Sequence, residues 1–201
     1  MSNPLLLIGC GGHAHSLIDV AESSTSWHVL GLVGLSAQVG EEILGYPVLG
    51  TDQDLPELRK QCSHVLLAIG QSGLATQRQR LSKKLERLGF VMPLVISGHA
   101  LVSCHAQLGL GTSVGHAAIV NAGAQIGAHC IINSRALIEH DAVIEDYCHI
   151  STGALVNGGV HIGPGSFIGS GAMIREGLNL PASTVISAGK RVMGWPLLHK
   201  S

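Results

Sequence analysis

IGAHCI INSRAL IEHDAV IEDYCH ISTGAL, residues Ile126–Leu155, divides into six-residue units that each open on isoleucine. The step continues in both directions. Backwards it meets Val120, Val114, Leu108 and Val102; forwards it meets Val156, Ile162, Ile168, Ile174, Leu180, Ile186 and Val192. Every one of these positions is Val, Ile or Leu, and nothing interrupts the spacing between Val102 and Val192. A self-similarity of this kind decides the architecture before any other signal.

Two further registers run in step with the first. Four residues after the aliphatic the side chain is usually small, as at Ala118, Ala124, Cys130, Ala136, Ala142, Cys148, Ala154 and Ala172. One residue after it, Gly or Asn is common, as at Gly109, Gly115, Asn121, Gly127, Asn133, Gly163 and Gly169. Gly and Asn tolerate left-handed backbone, so this slot is expected to turn the corner. An inward aliphatic on each short strand, a small residue near the corner and a turn residue describe a triangular coil. Three units close one coil of eighteen residues, and about five stacked coils make a prism roughly 25 Å long at the usual strand spacing. Residues eighteen apart then lie one above the other. Cys130 and Cys148 are such a pair and are expected in the interior.

Composition narrows the partners. The chain carries 12 Lys+Arg against 13 Asp+Glu, so its charge gives no reason to expect nucleic acid or an anionic membrane. With 46% hydrophobic and 12% charged residues it is a globular chain. The run Leu5-Leu6-Leu7-Ile8 is too short for a leader or a span before Gly9, which implies a cytoplasmic protein without membrane insertion. The 5 cysteines show no CxxC spacing, which indicates neither a disulfide framework nor a zinc ribbon. The repeat region is poor in charge. Such a prism is expected to bury a face against copies of itself, and closure about a threefold axis suits its shape.

Residues 1–97 read differently from residues 98–201, and the two are expected to be separate domains. Leu5–Gly9 is a short apolar strand, Ala14–Ser23 has helical spacing, Val29–Val33 is apolar again, and His64–Gly70 (HVLLAIG) reads as a buried strand. Thr76–Leu88 is a charged amphipathic helix, followed by the apolar run Val91–Ile96. Strands alternating with helices imply a small doubly wound α/β domain of the Rossmann type. The first strand ends in Gly9-Cys10-Gly11-Gly12-His13-Ala14, a G-x-G-x-x-A turn. A glycine turn opening a helix presents free N–H groups to phosphate oxygens. A nicotinamide enzyme would place an acidic residue at the end of the second strand, where this chain has Gly31-Leu32-Val33-Gly34-Leu35. The turn is therefore read as a phosphate cradle for a nucleotide-linked sugar, with a purely structural turn as the alternative.

The α/β half, the GCGGH turn, the AIG strand end and the uninterrupted hexapeptides together resemble one family. It comprises the bacterial sugar acetyltransferases that include sialic acid O-acetyltransferases and UDP-4-amino-sugar N-acetyltransferases of bacillosamine synthesis. The resemblance spans nearly all residues from 5 to 195, and its most specific element is Asn133 with Ile138-Glu139-His140-Asp141 and His149-Ile150-Ser151-Thr152-Gly153-Ala154. It implies that the prism is a left-handed parallel β-helix, the known exception to the right-handed crossover rule. It implies a general base at His140 supported by Asp141. Coenzyme contacts are implied at His149, Ser170 and Ala188, and nucleotide-sugar contacts at Gly11, Gly12, His13 and Gly70. Asn133 falls on the acceptor side. The implied partners are acetyl-CoA as co-substrate and a nucleotide-activated sugar, in a homotrimer with sites between subunits. Relatives acting on UDP-amino sugars often carry an Asp-Asp pair where Gly34-Leu35 stands here.

The residue types suit acetyl transfer. Histidine titrates near neutrality and can take the proton of an attacking amine or hydroxyl. A neighbouring carboxylate favours the imidazolium so formed. Counting in eighteens gives independent support, because the residues stacked on His140 are Ala122 and Gly158, which leave room beside it. Those stacked on His149 are Ile131 and Phe167, an apolar setting. The leading expectation is N-acetylation of a nucleotide-linked amino sugar; O-acetylation of a sialic-acid-type sugar and a non-catalytic sugar-binding scaffold are the alternatives. A γ-type carbonic anhydrase would need gathered histidine ligands, commonly H-x4-H. His99, His105, His116, His129, His140, His149 and His161 show no such pair, so no metal is expected.

Overall fold

The computed structural model describes residues 2–196; residue 1 and residues 197–201, the tail of the expected second domain, lie outside the described residues. The chain divides into two compact units, residues up to Gly70 with Gln77–Gly98, and Gln71–Thr76 with His99 onward. Among the described residues no helix is long and apolar enough to cross a membrane.

The first unit contains β1 (Asn3–Ile8), α1 (Gly12–Glu22), β2 (Trp27–Val33), β3 (Glu42–Ile43), β4 (Tyr46–Gly50), α2 (Leu55–Gln61), β5 (Val65–Leu67), α3 (Thr76–Arg87) and β6 (Val95–Ile96). Five of the strands form one sheet in the order β3-β4-β2-β1-β5, parallel except at β3. The apolar run of β1 serves both faces, as a central parallel strand must. Leu5 and Leu7 pack with Ala14, Leu17 and Ile18 of α1, while Leu6 and Ile8 pack with Leu55 and Leu58 of α2 and Leu85 of α3. The HVLLAIG run is strand only over Val65–Leu67, and of the run from Val91 only Val95–Ile96 is strand. The hairpin β3–β4 and the short helix α2 have no counterpart in the sequence reading. The chain leaves β1 towards β2 on one side and later returns to β5 on the other. The carboxyl ends of β1 and β5 therefore flank the switch point at which open α/β sheets bind ligands.

The second unit holds sixteen two-residue strands, from β7 (Leu101–Val102) to β22 (Arg191–Val192), in three parallel sheets. Each strand pairs with the one eighteen residues away, as in Ile119↔Leu137 and Ile131↔His149. The second residue of every strand is the aliphatic of the series, and from Val114 to Val192 all of them are buried. Cys130 and Cys148 are buried as expected.

The corner slot is corrected by the structure. Positive φ occurs three residues after the aliphatic, not one: at Gly111, Ala117, Gly123, His129, Arg135, Asp141, Tyr147 and every sixth residue on to Gly189. The glycines one residue after the aliphatic answer a different demand, close approach between coils. A methyl on Gly109 would lie 2.5 Å from the Ala128 nitrogen, and one on Gly115 would lie 2.7 Å from that of Ser134.

Candidate functional site

Between β13 (Leu137–Ile138) and β14 (Val143–Ile144) the chain turns a corner through Glu139, His140 and Asp141. Asp141 occupies the left-handed slot with φ 59°, a conformation Asp adopts more readily than most residues. Its Oδ2 lies 2.9 Å from His140 Nδ1, and the two side chains are 73% and 67% exposed. An acceptor there assigns the Nδ1 proton, so His140 donates to Asp141 and keeps a lone pair on Nε2. The hydrogen bond to Asp141 raises the His140 pKa; desolvation opposes it, and the charges of Asp141 and Glu139 add to it. Glu139 is itself held, accepting from the His140 N–H at 3.2 Å and from Asn121 Nδ2 at 2.9 Å in the coil below.

The ring also needs space. A methyl on Gly158 would lie 2.7 Å from His140 Cε1 and Nε2, and one on Gly123 would collide with Asp141 Oδ1. Both halves of the pair thus sit over glycines of neighbouring coils. The count in eighteens foresees Gly158 beside His140.

His149 has another setting. It opens β15 (His149–Ile150), is buried, and meets the Phe167 ring edge-on at 5.2 Å. Its Nδ1 donates to the Gln71 carbonyl at 2.7 Å, which leaves Nε2 as acceptor 3.5 Å from Asn133 Nδ2. Gln71 is fixed in turn, its amide donating to Gly73 O at 2.9 Å and Gly165 O at 3.2 Å. Nearby Ser151 Oγ and Ser170 Oγ are 2.9 Å apart, and Ser170 and Ala188 are exposed. The structure therefore gathers Asn133, His149 and Ser170 beside the edge between the β12 (Ile131–Ile132) and β13 faces. His140 and Asp141 stand on the next edge, between the β13 and β14 faces. One hexapeptide face separates the groups, roughly 15–20 Å at the strand rise. Gln71 is the contact of His149 that the sequence does not reveal, because its partner atom is a backbone carbonyl common to every residue type.

In the first unit the glycine turn leads into α1 with Gly11 at its N-cap. Methyls on Gly11 or Gly12 would meet nothing within 4 Å, so the turn faces open space. His13 Cβ would be 3.7 Å from a methyl on Gly70, which brings those two positions together at the ends of β1 and β5. A cleft of about 1000 Å³ opens here, lined by Gly9–Gly11, the end of β2, residues 51–53 and one side of α3. Cys10 lines it too; burial, with the charge of Glu41, pushes its thiol pKa up, which argues against a nucleophile. No carboxylate stands at Gly34-Leu35, and Leu35 is 73% exposed. Among the described residues no group of three His, Cys, Asp or Glu is placed to hold a metal ion.

Comparison with known proteins bears on both units. The family profile described as PglD N-terminal domain matches residues 4–85, and that described as bacterial transferase hexapeptide (six repeats) matches residues 141–176. No curated protein matches the chain by sequence. Perosamine N-acetyltransferase from Caulobacter crescentus, solved as a mutant with CoA and GDP-perosamine, is 33% identical; the match covers 96% of this chain and 89% of that one, with a TM-score of 0.89. The acetyltransferase domain of PglB from Neisseria gonorrhoeae, solved with acetyl coenzyme A, is 28% identical over 96% and 93% of the two chains, with a TM-score of 0.84. WeeI from Acinetobacter baumannii, 17% identical with a TM-score of 0.57, shares the fold. The prism is accordingly a left-handed parallel β-helix.

Proposed function

This chain belongs to the bacterial hexapeptide-repeat sugar acetyltransferases, and from that premise we propose that it carries acetyl from acetyl-CoA to the amino group of a nucleotide-linked amino sugar. The observation that carries the chemistry is the His140–Asp141 corner, an exposed imidazole whose Nδ1 is occupied and whose Nε2 keeps its lone pair. The amine attacks the thioester carbonyl, its proton passes to His140 Nε2, and the carbon–sulfur bond breaks. The departing CoA sulfur then receives that proton. Asp141 stabilises the imidazolium between the two transfers. Holding both substrates in one cleft contributes the rest. No cysteine or serine is required as a nucleophile.

Coenzyme and sugar are assigned to the edge with Asn133, His149, Ser170 and Ala188, and to the glycine turn with Gly11, Gly12, His13 and Gly70. A homotrimer reconciles the two prism edges. The face between them presents an outward apolar column, Leu101, Ile119, Leu137, Leu155 and Met173, with Leu101 66% exposed. Three copies that turn this face to a common axis bury the column. The same arrangement sets the His140 edge of one copy against the His149 edge of the next. Both substrates are cytoplasmic metabolites, so the same compartment is assigned to the protein.

Thiol release from acetyl-CoA, measured with GDP- and UDP-linked amino sugars and with free sialic acid, tests the reading. A nucleotide-linked amino sugar as the preferred acceptor supports it; sialic acid as the better acceptor, or no release at all, rejects it. Light scattering at assay concentration that gives a monomer rejects the trimer.

A further inference from the structure

The glycine turn supplies only uncharged N–H groups, yet the diphosphate of a nucleotide-linked sugar brings two negative charges. The helix α3, which lines the same cleft, carries the missing cations. Along α3, Gln77, Arg80, Leu81, Lys84 and Arg87 line the cleft. Their spacing of three, four, seven and ten from Gln77 is one face of a helix. The helix's acidic residue Glu86, and Lys83, stand off that face. Lys84 is already tied to Asp52, its Nζ 2.9 Å from Oδ2. Arg80 and Arg87 are exposed at either side of it. The stretch after β2, Gly34 to Ser36, also lines the cleft and contributes no charge.

We infer that Arg80 and Arg87 bind the diphosphate of the nucleotide-linked sugar and select nucleoside diphosphates as the substrate class. Lys84 and Asp52 form the pair that spaces them. Guanidinium groups suit this task because their donors match phosphate oxygens two at a time. The phosphates lie between the open glycine turn and the α3 face, with the nucleoside over Gly34–Ser36. Recognition at that end of the cleft uses hydrogen bonds and packing rather than a carboxylate. The inference rests on the acceptor being nucleotide-linked.

Calorimetric titration of the full-length protein with GDP, UDP and the parent nucleosides tests it. The double variant Arg80→Gln, Arg87→Gln is expected to bind whichever diphosphate the unmodified protein binds about tenfold or more weakly. Nucleoside binding should stay unchanged, and the dependence of Kd on salt should flatten. An unchanged KM for acetyl-CoA shows that the variant is folded. Lys83→Gln, on the same helix but off the cleft, should bind diphosphates normally. Diphosphate binding at full strength in the double variant overturns the assignment, as does an equal loss in Lys83→Gln. If the unmodified protein binds neither GDP nor UDP and acetylates no nucleotide-linked sugar, the broader reading fails first. If it does both and only the double variant is indifferent, the arginines alone are wrongly placed.

Discussion

His140 and His149 are nine residues apart and belong to consecutive coils, yet the fold treats them oppositely. His140 stands on a corner, two-thirds exposed, with a carboxylate on Nδ1. His149 is buried against Phe167 with a backbone carbonyl on Nδ1. Both partners fix the same tautomer, so the contrast lies in charge and access. A carboxylate stabilises the imidazolium and makes a base; a neutral carbonyl in an apolar wall orients a ring without inviting a proton. The neighbour on the far nitrogen, more than the residue type, sets the charge and access of each histidine here.

Removing the proposed base should have the largest effect. His140→Ala is expected to lower kcat by about 10²- to 10⁴-fold with little change in the KM for acetyl-CoA, as removal of a general base does; an unaltered kcat would end the assignment. Gly158→Ala should come next. The added methyl occupies the space of the His140 ring, so kcat should fall by about tenfold or more while the melting temperature stays near that of the parent.

Asp141→Asn probes charge alone. As a base His140 must be neutral, so kcat/KM falls as pH drops through its pKa. The hydrogen bond and charge of Asp141 raise that pKa, and removing the charge should move the acid limb of the profile to lower pH, with a loss of kcat of about tenfold. A limb that stays in place would show that His140 does not titrate in the profile. The smallest effect is expected at Gln71→Ala. The carbonyl that holds His149 survives, while the amide bonds to Gly73, Gly165 and Ser166 are lost. A rise of a few-fold in the KM for acetyl-CoA with kcat preserved is the expected result, about the strength of one or two neutral hydrogen bonds.

The prism was legible because an inward aliphatic is a side-chain property repeated at fixed spacing. The left-handed slot was not, even though eight of its fourteen residues are glycines, because Ala117, His129, Arg135, Asp141, Tyr147 and Ser183 occupy the others; the stacked coils impose the conformation on whatever residue falls there. In the first unit, β1 and α1 were readable from apolar runs and helical spacing. The two-residue β3 and the seven-residue α2 are too short to show a period. The site divides the same way. His140 stands out because its stacked neighbours can be counted, and Gly158 proves to be the space beneath it. The hold on His149 comes from a main-chain atom seventy-eight residues away, and Arg80 and Arg87 sit in a helix that reads simply as charged.

Asp141 sits in a slot that the coil would force into the left-handed region whatever residue stood there. Its conformational cost therefore belongs to the architecture and is not an added expense of catalysis. Each corner of the prism is in that sense a vacant socket, already bent outward and already stabilised by the stack. A lineage can exchange the side chain displayed there, and so change the chemistry along an edge, without redesigning the column that holds it.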